Sequence, residues 1–403
     1  MNHEKMKNHA IMVLVAILPA IGAPDFSLVG FAENVTGGTG GRVVRVRSAS
    51  EFKSNCQSSE KLIIEVATKI SNASTSISSN KTILGIGTSG ELTATTLSIG
   101  GGSNIIIRNI KIHHAAREKD VISISGGRNI WIDHCDIYNA IGDLNGDGRV
   151  DTKGDIACGD VDWYDGLIDM TGSSAGITIS WNRIHDSFKA MLVGSSDSDI
   201  SDRKVTFHHN YFYNLWERAP SYRGGTGHIY NNYYKDIDHS AVNSRMNAKL
   251  LVEGNVFENT GSGEVDSKTK IEWGPIGGFY SSTTGCWDVK DNIFTDCKGN
   301  QPTASTCSFS PPYDYDETLQ PSTEVKSAVT TYAGVGNLDA TDVVVRKNDT
   351  VLRHVNSASR TEGTLFTCRG EKVDDAALRN YRASGILVVK NAGGTHLLMQ
   401  TRR

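Results

Sequence analysis

The stretch KVTFHHNYF at residues 204–212 has a pattern that returns along the chain. Apolar and polar residues alternate in it until it reaches an Asn or His that is followed by another large apolar residue. Similar phrases are NIIIRNIKI (104–112), NIWIDHCDI (129–137), GITISWNRI (176–184), HIYNNYY (228–234) and KLLVEGNVF (249–257). Aligned on the polar residue, they form one column at steps of 25, 48, 28, 22 and 23 residues: Asn109, His134, Asn182, Asn210, Asn232 and Asn255.

The spacing of these phrases predicts the fold. Strands that return every 22 or so residues are too close together for helical hairpins, and they are typical of the coils of a parallel β-helix. A coil cannot bury its own apolar side chains, so it stacks on the next coil. The aligned Asn side chains would then form a hydrogen-bonded ladder along the stack. A β-sandwich with chance similarity is the alternative.

The ends of such a stack need covers, because open strand edges are left unpaired. The phrase at Ser48–Glu51 is a capping-box pattern that predicts a short helix over the first coil. Residues 311–335 are expected to cover the other end.

Composition agrees with an all-β protein that has many turns. The 403 residues contain 41 Gly and only 8 Pro, and 38 % are hydrophobic. The net charge of −4 does not point to nucleic acid. Residues 339–403 hold 11 Lys and Arg against seven Asp and Glu, so the rest of the chain is the more acidic part. An acidic ligand of that part would need a few placed cations or a metal.

The N-terminus has the pattern of a secretory signal peptide. Lys5 and Lys7 precede a 14-residue apolar run, Ala10 to Ala23, which is too short to span a bilayer. We therefore predict a signal peptide at residues 1–23, no transmembrane segment, and a secreted protein. A buried N-terminal strand is the alternative.

The cysteine count is odd, so at least one cysteine is unpaired. Export permits a disulfide or two, but the sequence does not say which cysteines pair. The seven are Cys56, Cys135, Cys158, Cys286, Cys297, Cys307 and Cys368.

An insertion at 141–163 lies between two of the repeated phrases. Its stretch DLNGDGRVD (143–151) matches the first half of an EF-hand loop, with Asp143, Asn145, Asp147 and Asp151 at positions 1, 3, 5 and 9. Gly154 stands where the bidentate acid is expected, and no helices flank the loop. A structural Ca²⁺ site and a plain acidic turn both remain open.

Three acids are candidates for a metal site. The phrase DGLID (165–169) places Asp165 and Asp169 four residues apart, and WIDH (131–134) supplies Asp133 one coil earlier. Residues of adjacent coils lie side by side in a β-helix. Neighbouring carboxylate oxygens are the ligands that Ca²⁺ prefers. Acids scattered on a solvated surface are the alternative.

Three cations follow on the next coils. Lys189 lies in KAMLVG, while Arg218 and Arg223 lie in ERAPSYR. Each alone is most simply a surface cation. Together with the three acids they form a metal site beside a cationic clamp, which suits a polymer that carries carboxylates.

At this point the sequence resembles the pectate lyases of polysaccharide lyase family 1. The resemblance covers roughly residues 31–336, and it implies a right-handed single-stranded parallel β-helix. It further implies a Ca²⁺-dependent enzyme that cleaves polygalacturonate, the de-esterified form of pectin, by β-elimination. The matching phrases include ENVTGGTGG, NIWIDH, DWYDGLID, TISWNRIHD, KAMLVG, KVTFHHNYF, ERAPSYR, HIYNNYYKDIDHSAVNSR, LLVEGNVFEN, GPIGGFY and PPYDY.

The resemblance assigns roles to the candidate acids. Asp133, Asp165 and Asp169 match the calcium ligands of the family. The His that usually precedes the lysine is Ser187 here, and the His that usually follows LVG is Ser195.

The resemblance also assigns the cations. Lys189 and Arg223 match residues that bind the substrate carboxylate, and Arg218 matches the catalytic arginine that removes the proton. Three rivals remain: a pectin lyase that acts on methylated substrate without Ca²⁺, a hydrolase of the same architecture, and a polysaccharide-binding β-helix without activity.

We expect a catalytic domain at residues 31–337, a separate C-terminal module at 339–403 and a monomeric protein. The tail has short alternating strands and resembles the small β-sandwich sorting modules of the type IX secretion route. That resemblance implies a partner in the secretion machinery. The alternative is an extension that packs on the β-helix.

Overall fold

The structure is a computed structural model that describes residues 24–140 and 163–338 and the backbone of four strands in the tail. The predicted signal peptide lies outside the described residues. So do Asp143, Asn145, Asp147 and Asp151 of the EF-hand-like stretch, and their calcium site stays a prediction.

Short strands dominate the described chain, and two helices accompany them. In chain order they are β1 (Arg42–Val46), α1 (Ala49–Gln57), β2 (Leu62–Val66), β3 (Lys69–Ser71), β4 (Thr75–Ser76), β5 (Lys81–Gly85), β6 (Glu91–Thr93), β7 (Leu97–Gly100), β8 (Ser103–Arg108), β9 (Lys111–His113), β10 (Ile122–Ser125), β11 (Arg128–Asp133), β12 (Asp136–Tyr138), β13 (Ile168–Thr171), β14 (Ala175–Ser180), β15 (Arg183–Lys189), β16 (Met191–Val193), β17 (Lys204–His208), β18 (Tyr211–Glu217), β19 (Ser221–Arg223), β20 (Thr226–Tyr230), β21 (Tyr233–Ser240), β22 (Val242–Arg245), β23 (Lys249–Glu253), β24 (Val256–Thr260), β25 (Ile276–Gly277), β26 (Cys286–Lys290), β27 (Ile293–Thr295), α2 (Ser322–Tyr332), β28 (Thr364–Thr367), β29 (Lys372–Val373), β30 (Ile386–Lys390) and β31 (His396–Gln400).

The strands of the larger unit form three parallel sheets. Sheet 1 has the order β1-β2-β5-β8-β11-β14-β17-β20-β23-β26, sheet 2 the order β4-β7-β10-β13-β16-β19-β22-β25, and sheet 3 the order β3-β6-β9-β12-β15-β18-β21-β24-β27. Each coil gives one strand to each sheet in turn, as β17, β18 and β19 do. This is the predicted right-handed parallel β-helix.

The repeated phrases fold in this way because their inward side chains match from coil to coil. In sheet 1, Ile132 pairs with Ile179, and Ile179 pairs with Phe207. All three side chains are fully buried in one apolar core that runs along the stack. Burial of each contributes roughly 1.5–3 kcal/mol. The opposite face of sheet 1 carries polar residues such as Thr178 and Thr206, and also Ile106 and Trp131, which pack against Ala32 and Val35.

The predicted Asn ladder is present, but its first two members are different. Asn182, Asn210, Asn232 and Asn255 each donate from Nδ2 to the Oδ1 of the next Asn at 2.9–3.0 Å, and Asn292 extends the ladder at 3.0 Å. Each of them satisfies backbone groups of the turn between sheets 1 and 3.

Asn109 and His134 are one position out of this column, which corrects the alignment. The register that pairs Asp133 with Ser180 places His134 beside Trp181 and Cys135 beside Asn182. Asn109 and His134 have φ of 54° and 50°, so they occupy the left-handed residue of the turn. Asn is well suited to this backbone conformation.

Of the two predicted covers, the helix over the first coil is present and the cover of the other end is not. Helix α1 begins after Ser48, whose Oγ accepts from Glu51 N–H, and it buries Phe52 and Cys56 over the first coil. Helix α2 instead lies along the side of the stack. There Val325 and Val329 pack against Tyr233 of sheet 3, so 311–335 does not cover the end.

One disulfide is present among the described residues. Cys286, the first residue of β26, is bonded to Cys307, 21 positions later. The bond ties the segment after the last coil to sheet 1. Cys56 and Cys135 are buried thiols and Cys297 is half-buried.

The tail strands belong to a second compact unit, separate from Phe26–Asn348. They form an antiparallel sheet in the order β29-β28-β30-β31. Its predicted sorting role is not tested by the backbone. Among the described residues, no helix combines the length and apolar character needed to cross a membrane.

Candidate active site

Three carboxylates of two successive coils come together at the N-terminal ends of two neighbouring strands of sheet 2. Asp120 precedes β10, and the segment from Asp165 to Asp169 leads into β13, which pairs with β10. Gly166 N–H donates to Asp120 Oδ1 at 3.0 Å, and Leu192 N–H donates to Asp169 Oδ1 at 3.0 Å. A Cβ at Gly166 would lie 2.2 Å from Asp169 Oδ1. The glycine therefore makes room for this carboxylate.

Electrostatic repulsion couples these acids. Burial raises the pKa of Asp120 to about 6, and the neighbouring Asp165 adds to the shift. Burial raises the pKa of Asp169 well above its ordinary value, again with contributions from Asp120 and Asp165. Oxygen donors that repel one another fit a hard divalent cation, because its charge would offset both the burial and the repulsion.

These acids do not form a finished metal cage. Within residues 24–140 and 163–338, no group of three or more His, Cys, Asp or Glu side chains is arranged to hold a metal. Asp120, Asp165 and Asp169 favour a cation here because their carboxylate oxygens are hard donors that repel one another.

Asp133 is not part of this cluster, contrary to our expectation. It ends β11 in sheet 1, whereas Asp169 lies in β13 of sheet 2. Its side chain is fully buried, and its oxygens accept from Arg108 Nε at 2.6 Å and Ser180 Oγ at 2.7 Å, with His134 Nδ1 at 2.7 Å. Burial opposes ionisation, but His134 and Arg108 outweigh it and lower the pKa of Asp133. This carboxylate is saturated by protein donors.

The sequence contains a signal that would have indicated Asp120. In KDVISIS (119–125) an acid stands two residues before a strand with alternating apolar residues. The register pairs Ile122 with Ile168, and this brings Asp120 to the DGLID turn. Asp133 was chosen because WIDH is the more distinctive phrase, although its strand belongs to another sheet.

Lys189 and Arg218 lie beside the acids, as expected. Lys189 ends β15, and its Nζ lies 3.4 Å from Asp165 Oδ1. Arg218 follows β18 with φ of 68°, in the left-handed region. Its Nε donates to Glu217 Oε1 at 2.8 Å, and its charge favours the ionised form of Asp169. The side chain of Arg218 is 31 % exposed, so it is accessible to a ligand.

Arg223 is buried on the next strand and is already held by protein groups. Its Nε donates to Asp197 Oδ1 at 3.1 Å and its Nη1 to Gly194 O at 2.8 Å. Arg245, its register partner on β22, also donates to Asp197 Oδ1, at 3.2 Å. Burial, together with the charge of Arg223, lowers the pKa of Arg245 to about 10. The sequence reading missed Arg245 and Asp197.

The two serines that replace the family's histidines have local partners. Ser187 Oγ donates to Lys189 O at 2.9 Å. Ser195 donates from N and Oγ to Asp199 Oδ2 at 2.9 and 3.1 Å. Both therefore stabilise the backbone around the cationic residues.

Known proteins that are similar in sequence to this chain are pectate lyases. A family model described as pectate lyase matches residues 6–338. A pectate trisaccharide-lyase of Bacillus licheniformis is 42 % identical over 330 residues, which are 78 % of this chain and 88 % of that protein. Pectate lyase B of Colletotrichum gloeosporioides is 36 % identical over 312 residues, covering 76 % and 85 % of the two chains.

A solved structure is also similar over the β-helix. The crystal structure of a pectate lyase from Bacillus sp. N165 in complex with trigalacturonate aligns with a TM-score of 0.68 and 36 % identity. The alignment covers 78 % of this chain and all of that one.

Proposed function

The chain belongs to the pectate lyase family, and from this we propose that it is a secreted enzyme that cleaves polygalacturonate by Ca²⁺-dependent β-elimination. The cluster of Asp120, Asp165 and Asp169 next to Lys189 and Arg218 is the observation that carries the proposal. The acids that would bind a cation and the cationic side chains that would meet a uronate lie within the same few coils of the stack.

We assign the calcium ligands to Asp120, Asp165 and Asp169, with Asp120 in the place first given to Asp133. When bound there, Ca²⁺ would supply positive charge to the carboxylate of a galacturonate unit and so stabilise charge that develops on it. The raised pKa values of Asp120 and Asp169 support this choice, since the cations near them offset burial less than His134 and Arg108 offset the burial of Asp133.

Lys189 and Arg223 hold the substrate carboxylate in this proposal. Lys189 Nζ lies 3.4 Å from Asp165 Oδ1, so a substrate carboxylate bound beside the acids would also be within reach of the lysine. Arg223 stands one coil further and shares Asp197 with Arg245. Their charges make the carbon next to the carboxylate easier to deprotonate, because the electron pair left behind is delocalised into that carboxylate.

Arg218 takes the proton from C5. The electron pair forms the C4–C5 double bond, and the glycosidic oxygen on C4 leaves with its own pair and then takes a proton from solvent. Only the neutral form of the arginine side chain can accept this proton.

The test is ultraviolet absorbance of polygalacturonate treated with the purified protein, with Ca²⁺ and with chelator. A rise that chelator abolishes supports the proposal. Reducing ends without absorbance indicate a hydrolase, and a rise on methylated pectin that chelator leaves unchanged indicates a pectin lyase. Binding of the polymer with neither product indicates a binding protein.

Export is part of the same proposal and has two predicted signals. Residues 1–23 would direct secretion. Residues 339–403, which follow the end of the family match at 338, would act as a type IX sorting module. Deletion of 339–403 should leave lyase activity in a cell lysate and abolish export. Export without the tail would contradict the sorting role.

A further inference from the structure

Arg218 sits on a backbone that its neighbours fix. Its carbonyl accepts from Met191 N–H at 2.6 Å, and the next residue, Ala219, donates to Ala241 O at 2.9 Å. Its φ of 68° places it in the left-handed region, directly after the last residue of β18. Within the described residues, its side chain makes one hydrogen bond, from Nε to Glu217 Oε1. The other two guanidinium nitrogens are directed by that single contact.

Glu217 has a second partner that restrains it. Its Oε2 lies 3.4 Å from His239 Nδ1, a long hydrogen bond. Burial opposes ionisation of Glu217, but His239 and Arg218 outweigh it and lower its pKa. Glu217 is therefore a half-buried, charged acceptor that lies between Arg218 and His239.

His239 is fixed by aromatic rings on both sides. The ring of Trp273 stacks on it at 3.9 Å between centroids, and the ring of Trp216 stacks on the other side at 5.5 Å. The ring of Phe188 continues the stack beyond Trp216. Stacked aromatic rings hold a side chain in one orientation with little freedom left.

A β-bulge sets the direction of His239. The register of β21 against β18 runs from Ile237 opposite Leu215 to Ser240 opposite Glu217, so β21 has one extra residue in between. Bulges re-aim side chains and are frequent beside active sites. Here the bulge brings His239 to Glu217, at the end of the strand that precedes Arg218.

We infer that Glu217, held by His239 in the Trp216–Trp273 stack, is the positioning residue that orients Arg218 toward the substrate. This inference rests on the proposed function, because it needs Arg218 to act on a substrate. Glu217 touches no substrate in this account. It acts by fixing the Nε side of the guanidinium, so that the other two nitrogens are left for the substrate.

The test compares kcat and KM of Glu217→Ala and Glu217→Gln on polygalacturonate. We expect Glu217→Ala to lower kcat by about 10-fold or more with KM within about 2-fold, because only the orientation of the base is lost. Glu217→Gln keeps an acceptor oxygen for Arg218 Nε and should stay within about 3-fold of the unmodified enzyme. Glu258→Ala is the matched control, since Glu258 lies in sheet 3 and pairs with Lys326.

His239→Phe tests the second link without loss of the aromatic stack. It should lower kcat by a few-fold, and the double variant Glu217→Ala/His239→Phe should equal Glu217→Ala, because the histidine acts through the acid. Thermal unfolding checks that each variant is folded.

Three outcomes overturn the inference. They are a kcat for Glu217→Ala within about 2-fold of the unmodified enzyme, a KM that rises as much as kcat falls, or a Glu217→Gln variant as slow as Glu217→Ala. If the unmodified protein forms no unsaturated product, the proposed function fails, and the inference fails with it. If the unmodified protein does form product, these outcomes concern Glu217 alone.

Discussion

Arg108 Nε lies 2.6 Å from Asp133 Oδ2, and the two side chains are 5 % and 0 % exposed. The pair spans β8 and β11 of sheet 1, where the two residues are in register. It makes Asp133 a structural acid inside the stack. The acids proposed for calcium lie at sheet 2, where the ion pair of Asp165 with Lys189 is longer, at 3.4 Å.

Asp133→Asn should therefore destabilise the fold. The change takes the carboxylate charge away from Arg108, and removal of one partner of a buried ion pair costs about 3–5 kcal/mol. Denaturant unfolding measures this loss. Asp165→Asn is the contrast, since its side chain is 47 % exposed. It should leave unfolding nearly unchanged and raise the Ca²⁺ concentration needed for half-maximal activity. If Asp133→Asn instead raised the Ca²⁺ requirement and left unfolding unchanged, Asp133 would be a metal ligand.

Gly166→Ala should impair activity more than stability. The new Cβ would lie 2.2 Å from Asp169 Oδ1, so the carboxylate must move out of the cluster. We expect weaker activation by Ca²⁺, measured as a right-shifted titration of activity. Gly100→Ala is the matched control, because no atom lies within 4 Å of its added Cβ. Equal Ca²⁺ titrations for both variants would contradict the assigned place of Asp169.

Stability should fall as pH decreases below about 6.5, the ordinary value for histidine. Burial lowers the pKa of His208 to about 3, so the folded state stays neutral where the unfolded state takes up a proton. The unfolded state then binds more protons, and the free energy of unfolding decreases by up to about 1.4 kcal/mol per pH unit for each such group.

His208→Gln checks the contribution of this histidine between pH 6.5 and 4.5. The variant should show a shallower loss of the free energy of unfolding with decreasing pH. His185 has the opposite sign, since Asp136 and Asp186 outweigh burial and raise its pKa, so its contribution is lost as pH rises. A slope unchanged in His208→Gln would mean that His208 is protonated in the folded state.

The disulfide between Cys286 and Cys307 should contribute about 3 kcal/mol, the value for a loop of this length. Cys286→Ser should lower the melting temperature, and a reductant should lower that of the unmodified protein by a similar amount. Cys297→Ser serves as the control, because Cys297 is an unpaired thiol. If reductant had no effect on the unmodified protein, the bond would not form in solution.

The sequence predicted the fold well because a β-helix depends on short phrases that repeat. The column of Asn182, Asn210, Asn232 and Asn255 was visible from spacing alone, and the structure shows these side chains hydrogen-bonded in order. Asn109 was placed in the wrong column, since the sequence does not distinguish the left-handed residue of a turn from the ladder residue after it.

The site was predicted less completely. Sequence phrases indicated Asp165, Asp169, Lys189 and Arg218, which the structure brings together. The placement of Asp133 beside the other two acids was wrong. Residues of adjacent coils are neighbours only within the same sheet, and the sequence did not show to which sheet the strand of Asp133 belongs.

Other contacts of the site had no pattern in the sequence. Asp197 holds Arg223 and Arg245 from a loop, and His239 reaches Glu217 through a one-residue bulge. A bulge shifts the register by a single position, which periodicity in one chain does not reveal.

The most direct test of the account counts two products in one digest of polygalacturonate, namely conjugated double bonds and new reducing ends. With Ca²⁺ present, β-elimination predicts equal numbers of both at every time point, and chelator should abolish both together. Reducing ends that accumulate without double bonds, or double bonds that accumulate equally in chelator, would contradict it.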